Sequence, residues 1–174
     1  LIYKADYVPV GKDQEQHLEL TRDIAQRFNN QVGKAYFALP EPLFTETSKI
    51  RSTADPNKKM SKSAGEKHFI GLYADEATIR RQIKSAVTDS GDTPEGEMAI
   101  GVQNLFELIK ASGWKTEHDQ LMDQYKDGQL KYVDLKQVTA DALVELTSKF
   151  IARRQELITD KKRLKDIIKQ SSSE

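Results

Sequence analysis

"VPVGKDQEQHLELTRDIAQRFN", residues 8–29, changes character at its fourth letter. Up to Gly11 the chain is short, apolar and partly β-branched, and residues 1–10 read as a buried strand that breaks at Pro9 and Gly11 into a tight turn. After the turn, Leu18, Ile24, Ala25 and Phe28 recur at helical spacing. Asp13 is placed to cap the start of that helix, and Asn29 and Asn30 to close it. Tyr36, Phe37, Ala38 and Leu39 form a second strand candidate, stopped by Pro40 and Pro42. Strand, helix and strand in this order predict a βαβ unit of a parallel sheet, hence an α/β fold.

A strand that hands over to a helix through glycine offers a place for a ligand, because open parallel sheets bind at that end of their strands. Gly11 lets the backbone approach a ligand closely, and the helix start presents unpaired N–H groups. A carboxylate at Asp13 can accept hydrogen bonds from two ribose hydroxyls. The plainer reading of the same letters is a glycine turn followed by an N-cap.

Further along, the texture becomes helical. Asp75 caps a helix predicted to run to Val87. Val102, Leu105, Phe106 and Ile109 make one stripe, which Gly113 stops. A shorter helix is expected over residues 117–125. Leu135, Val138, Ala142, Leu146, Phe150 and Ile151 form the stripe of a longer one, and residues 160–169 form a last amphipathic segment. The chain thus reads as half an α/β domain, residues 1–73, joined to an all-helical domain, residues 74–174.

The 174 residues are 37% hydrophobic and 31% charged, enough for one large or two small packed cores. Cysteine is absent, which excludes disulfides, thiolate metal sites and thiol catalysis. Three scattered histidines suggest no zinc constellation, and His17 has no partner visible in the sequence. No apolar run approaches the roughly 18 residues needed to span a bilayer, and no signal-peptide pattern is present, so the cytoplasm is the expected compartment. Leu1, Ile2 and Tyr3 open the chain like a strand already under way, and the expectation is a piece of a longer protein. Basic and acidic residues balance at 27 each, so contact with a polyanion has to come from local patches. Arg80, Arg81 and Lys84 share a helix turn, and Lys161, Lys162, Arg163 and Lys165 form a second cluster. Each reads as a solvated helix face or as a salt-sensitive contact with RNA phosphates. Tyr36, Phe37, Phe44 and Trp114 read as core or rim rather than as stacking platforms for bases.

The densest chemistry lies in "DPNKKMSKSAG", residues 55–65. A phosphate group that leaves as pyrophosphate gains negative charge in the transition state, and cations aimed there favour that state over the ground state. Lys59 and Lys62 can reach different phosphates from one short loop, while Ser61 and Ser63 add hydroxyls and backbone N–H groups without bulk. Asp55, Pro56 and Asn57 make a turn before the loop, Met60 is its apolar anchor, and Gly65 is a candidate hinge behind it. A solvated charge run is the competing reading.

"KMSKS", residues 59–63, is letter for letter the second signature of class I aminoacyl-tRNA synthetases, and its surroundings resemble the tryptophanyl-tRNA synthetases. The resemblance extends over residues 8–29, over "DPNKKMSKS", over "IKSAVTDS" at 83–90 and over "GVQNL" at 101–105. It implies the second half of a Rossmann-type catalytic domain followed by a helical domain that helps bind tRNA, in a homodimer. It also implies that Gly11, Lys12 and Asp13 line the ATP site, with Asp13 on the ribose. Gln14 would reach the amino-acid substrate, Ile50 would pack near the adenine, and Lys59, Met60, Ser61, Lys62 and Ser63 would form a mobile loop over the phosphates. The implied reaction is adenylation of L-tryptophan by ATP with Mg²⁺, then transfer to tRNA(Trp), with Lys59 and Lys62 as the catalytic pair on the departing pyrophosphate. No metal ligand among the side chains is implied.

Three departures accompany the likeness. The family usually carries an acidic residue where Lys12 stands and an apolar one where Arg51 stands. Its histidine- and glycine-rich first signature is absent, as is the aspartate that reads the indole N–H, and the last helix looks cut short. The expectation is therefore a chain that is catalytically silent by itself. A tyrosine-specific relative, another adenylyltransferase, and a non-catalytic tRNA-binding fragment are the rival readings.

Overall fold

The computed structural model describes residues 1–44, 50–89, 91 and 93–173, without the side chain of Asp13. It resolves into two compact units, Leu1–Lys49 and Ile50–Glu174. The texture of the sequence puts the change of domain later, after Tyr73; by compactness, residues 50–73 go with the helical part.

In the first unit, strand β1 (Tyr7–Val10) leads through a 3-10 turn at Lys12–Gln14 into helix α1 (Glu15–Val32), which returns to strand β2 (Glu41–Phe44). The strands are parallel, with Tyr7 opposite Glu41 and Val10 opposite Phe44, so the predicted βαβ unit is present. Four of its details differ from the expectation. The first strand begins only at Tyr7 and is not buried, since Tyr7 is 63% exposed and the two-stranded sheet has a single helix to cover it. The second strand lies at residues 41–44 rather than 36–39 and contains Pro42. Proline is tolerated there because Glu41 N–H donates to Asp6 O at 2.8 Å. Alternation along a parallel ladder then turns the nitrogens of Pro42 and Pro9 away from the partner strand.

The third difference is at the helix start, where Asp13 lies inside the 3-10 turn and Gln14 holds the N-cap position of α1. The fourth is at its end. The helix passes through Asn29 and Asn30 and closes at Gly33, whose φ of 70° suits a residue without Cβ. Asn29 instead organises the return path: its Oδ1 accepts from the N–H groups of Tyr36 and Phe37, both at 2.9 Å, and its Nδ2 donates to Phe37 O at 2.8 Å. Phe28, Tyr36 and Phe37 stack mutually at centroid distances of 4.9–5.7 Å. Arg22 pins the next residues by donating to Pro40 O at 2.8 Å.

The second unit holds helices α2 (Glu76–Lys84), α3 (Ile100–Ala111), α4 (Lys115–Lys126), α5 (Tyr132–Thr159) and α6 (Lys161–Ser171). Asp75 caps α2 as expected, accepting Thr78 N–H at 2.7 Å, and the helix ends at Lys84, three residues before Val87. Ile79 and Ile83 of α2, Val102, Leu105 and Ile109 of α3, and Leu135 of α5 make one dry core. Burial of each such side chain stabilises the fold by about 2 kcal/mol. The expected stripe on α5 is buried at Leu135 and Ala142, but Phe150 and Ile151 are exposed, because the helix outruns the core. Trp114 lies at the rim, half-buried, with Nε1 donating to Glu145 at 3.1 Å. No described helix is long and apolar enough to cross a membrane.

Candidate functional site

The two chemical features lie in different units. In the first, Gly11 precedes the 3-10 turn with φ −72° and ψ 156°, a conformation open to any residue. What glycine contributes there is the missing side chain. Gly11 O accepts from Gln14 N–H at 2.9 Å, which folds the turn onto the start of α1. Neither Gly11 nor Gln14 caps the helix with a side chain. The ammonium of Lys12 pairs with Glu15 at 2.7 Å and sits 4.7 Å from the centre of the Phe44 ring. The carboxylate of Asp13, expected at the ribose, lies outside the described residues.

In the second unit the lysine stretch grows out of a hairpin. Residues 50–52 run antiparallel to residues 58–60, with Arg51 opposite Lys59. Ser52 N–H donates to Lys58 O at 2.9 Å, and Met60 N–H to Ile50 O at 3.3 Å. The expected turn at Asp55, Pro56 and Asn57 is formed: Lys58 N–H reaches Asp55 O at 2.9 Å, and Asn57 N–H reaches Asp55 Oδ1 at 3.2 Å. Ile50 and Met60 are thereby brought side by side, and both pack against the helical core. Beyond Met60 the chain leaves the hairpin. Ser61 and Ser63 share a hydrogen bond of 2.8 Å, Lys62–Ala64 forms a 3-10 turn, and Gly65 stands at φ 105° before a second such turn at Glu66–His68.

The three consecutive-looking lysines are therefore not equivalent. Lys58 is paired with Asp55 at 2.9 Å. The hydrogen bond from Lys58 holds the Asp55 carboxyl below its ordinary range, and Asp55 holds the Lys58 ammonium above its own. Lys59 and Lys62 are exposed, and neither has a carboxylate partner among the described residues. Lys59 is fixed at the hairpin base; Lys62 rides the arc beyond it, its ammonium 6.0 Å from the centre of the Phe69 ring. Two positive charges three residues apart, without a carboxylate partner among the described residues, make an arrangement able to act on an anion. The basic cluster on α2 is less free. Arg80 is held by Glu76 and Asp141, both at 2.7 Å, while Lys161, Lys162 and Lys165 on α6 are exposed.

Four residues that sequence reasoning passed over hold the hairpin in place. Asn104 Oδ1 accepts Arg51 N–H at 2.8 Å, and its Nδ2 donates to Arg51 O at 3.0 Å, so a side-chain amide pairs with the backbone as a neighbouring strand would. Its signal was a buried amide within the apolar stripe of α3. Ser52 and Thr53 are buried, and Thr53 O accepts Val87 N–H at 2.9 Å. His68 bonds Ser52 at 2.8 Å. Gly101 allows α3 to meet that layer: a Cβ there would fall 2.2 Å from Val87 O and 2.5 Å from Thr88 O. Val102 N–H then reaches Thr88 O at 3.1 Å. Three stretches far apart in the chain, residues 51–53, 87–88 and 101–104, thus converge on one framework at the foot of the lysine hairpin.

Comparison with known proteins agrees with this geometry. Residues 1–148 match the family described as tRNA synthetases class I (W and Y). The tryptophan–tRNA ligase of Clostridium perfringens is 42% identical over 175 residues, which cover 99% of this chain and 52% of the relative. That of Corynebacterium glutamicum is 41% identical over 172 residues, covering 97% and 49%. Among solved structures, tryptophanyl-tRNA synthetase from Mycoplasma pneumoniae superposes with a TM-score of 0.70 at 33% identity, covering 90% of this chain and 49% of the other. The Campylobacter jejuni tryptophanyl-tRNA synthetase complexed with ADP and tryptophan gives 0.62 at 30%, covering 97% and 51%. The chain spans about half the length of the curated relatives it matches. Its α/β beginning and helical remainder are those of the class I synthetase neighbours.

Proposed function

Because the chain belongs to the class I tRNA synthetases of the tryptophan and tyrosine group, we propose that the full-length protein carrying it is a tryptophan–tRNA ligase. The carboxylate of L-tryptophan attacks the α-phosphorus of ATP, the bond from that phosphorus to the bridging oxygen breaks, and pyrophosphate leaves with the electron pair. Tryptophanyl-adenylate then passes its acyl group to the terminal ribose of tRNA(Trp). Mg²⁺, bound to the phosphates of ATP, would supply charge neutralisation there. Gly11 and the start of α1 accommodate the nucleotide, Asp13 takes the ribose, Ile50 packs beside the adenine and Gln14 faces the amino acid. Lys12, turned toward Glu15 and Phe44, is a further contact for the nucleotide.

The observation that carries the reading is the pair of exposed ammonium groups, Lys59 and Lys62, without a carboxylate partner among the described residues, one at the base of a hairpin built into the core and one just beyond it. In the complete enzyme they gather the charge that develops on pyrophosphate, Lys62 from the arc and Lys59 from its base, with Ser61 and Ser63 as hydrogen-bond donors and Met60 as the anchor. The catalytic domain extends to residue 73 and residues 74–174 form the tRNA-binding domain. The enzyme works as a cytoplasmic homodimer, and the 174-residue chain alone is inactive. ATP–pyrophosphate exchange by the full-length protein with a panel of amino acids tests the proposal. Exchange is expected with tryptophan; dependence on tyrosine, or on no amino acid, contradicts it.

A further inference from the structure

Ser52, at the foot of the hairpin before the lysines, is fully buried, at 0% exposure. Its Oγ accepts the backbone N–H groups of Ala54 at 3.2 Å and Asp55 at 3.0 Å. A serine hydroxyl has two acceptor lone pairs and one proton to donate. Both lone pairs are in use, so the proton remains for the third neighbour, Nδ1 of His68, at 2.8 Å. A proton on Nδ1 would oblige the oxygen to accept three times and leave its own O–H buried without a partner, which is costly where water cannot enter. His68 therefore receives at Nδ1 and carries its proton on Nε2.

This bond spans the lysine loop. Ser52 belongs to the strand that leads into the loop, and His68 ends the 3-10 turn that leads out of it. Two further ties run parallel: Thr53 Oγ1 donates to Lys67 O at 2.8 Å, and Gln82 of α2 donates to Glu66 O at 2.7 Å and to Phe69 O at 3.2 Å. Of these three ties, only the one through His68 joins two side chains, one on each foot of the loop.

We propose that His68 is a positioning residue for the lysine loop. By accepting the Ser52 proton it fastens the outgoing foot of the loop to the incoming one, so that Lys62 is presented on an arc closed at its base. A closed arc has less freedom to lose when it engages an anion, and a larger fraction of molecules holds the ammonium where it can act. The kinetic part rests on the reading of the loop as a pyrophosphate-binding element; the hydrogen-bond direction rests on geometry alone.

In a full-length ligase, His68→Phe keeps a ring of similar size but no acceptor. It is expected to lower the turnover of tryptophan-dependent exchange about tenfold, with KM for tryptophan within about twofold. His68→Asn, whose Oδ1 replaces Nδ1 as acceptor, is expected to recover turnover to within about threefold of wild type. Wild-type turnover in His68→Phe overturns the proposal, as does an equal loss in the Phe and Asn variants. Should His68→Phe fail to fold, the imidazole ¹⁵N spectrum of the unaltered 174-residue chain in mildly alkaline buffer decides. An unprotonated, hydrogen-bonded Nδ1 with a protonated Nε2 is expected; the Nδ1–H tautomer overturns the clasp. A wild-type enzyme that exchanges with no amino acid contradicts the functional reading instead, and the nitrogen spectrum then decides the clasp.

Discussion

Helices α1 and α2 begin in opposite ways. At α2, Asp75 closes the first turn by accepting Thr78 N–H at 2.7 Å, whereas at α1 neither Gly11 nor Gln14 offers a side-chain cap. A start capped in this way has satisfied part of its own polarity within the fold. The two units differ in the same sense. The first buries little beyond Leu18 and Ala25 and leaves Ile24, Phe28 and Tyr36 largely exposed, while the second encloses a continuous core beneath the lysine hairpin. The lesson is structural: the base of the lysine hairpin is constrained by packing, while the described part of the βαβ unit is lightly covered.

Glycine substitutions probe that difference most strongly. Gly101→Ala places a Cβ against two backbone carbonyl oxygens that have no rotamer by which to move aside. It is expected to destabilise the second unit by about 3 kcal/mol and to loosen the layer under the lysines. Gly33→Ala, at the end of α1, meets nothing within 4 Å and strains only a backbone at φ 70°. Its expected cost is about 1 kcal/mol. Hydrogen exchange resolved by residue reads both effects separately. Equal costs would break the contrast between a close-packed unit and an open one.

How far these features could be read from letters alone varies with their range. The βαβ order, the α2 cap and the helical second half are local patterns, and residues 75–84 and 100–111 carry them plainly. Strand β2 was misplaced because Pro42 reads as a stop, and only the pairing partner reveals that its nitrogen faces away from the ladder. The bond between Asn104 and Arg51 joins residues 53 positions apart, and no periodicity announces it. The same is true of Ser52 with His68: a serine before a turn and a histidine after a lysine run look like ordinary surface letters until burial is known. The lysine pair stands out in the letters, but the placing of Lys59 at the base and Lys62 on the arc needed the hairpin.

A smaller effect sharpens the contrast between the two helix starts. The backbone N–H of Thr78 donates to Asp75 and holds its carboxyl below the ordinary range. A folded value below the unfolded one means that the contribution is complete above the unfolded value and is lost as pH falls through the lowered folded one. Asp75→Asn keeps an acceptor but cannot titrate, so its stability, followed by urea midpoints, should fall less steeply on acidification than that of the unaltered chain. An identical slope in both would show that Asp75 contributes nothing to the acid sensitivity of α2.

The central claim is that the ammonium on the arc acts on charge that appears only as pyrophosphate departs. Single-turnover formation of tryptophanyl-adenylate by a full-length ligase carrying Lys62→Ala tests it most directly. The rate at saturating substrates should fall by about two to three orders of magnitude, with apparent affinities for ATP and tryptophan little changed. A rate equal to that of the unaltered enzyme, with only the affinity for ATP weakened, would mean that Lys62 binds the nucleotide in its ground state and would contradict the account.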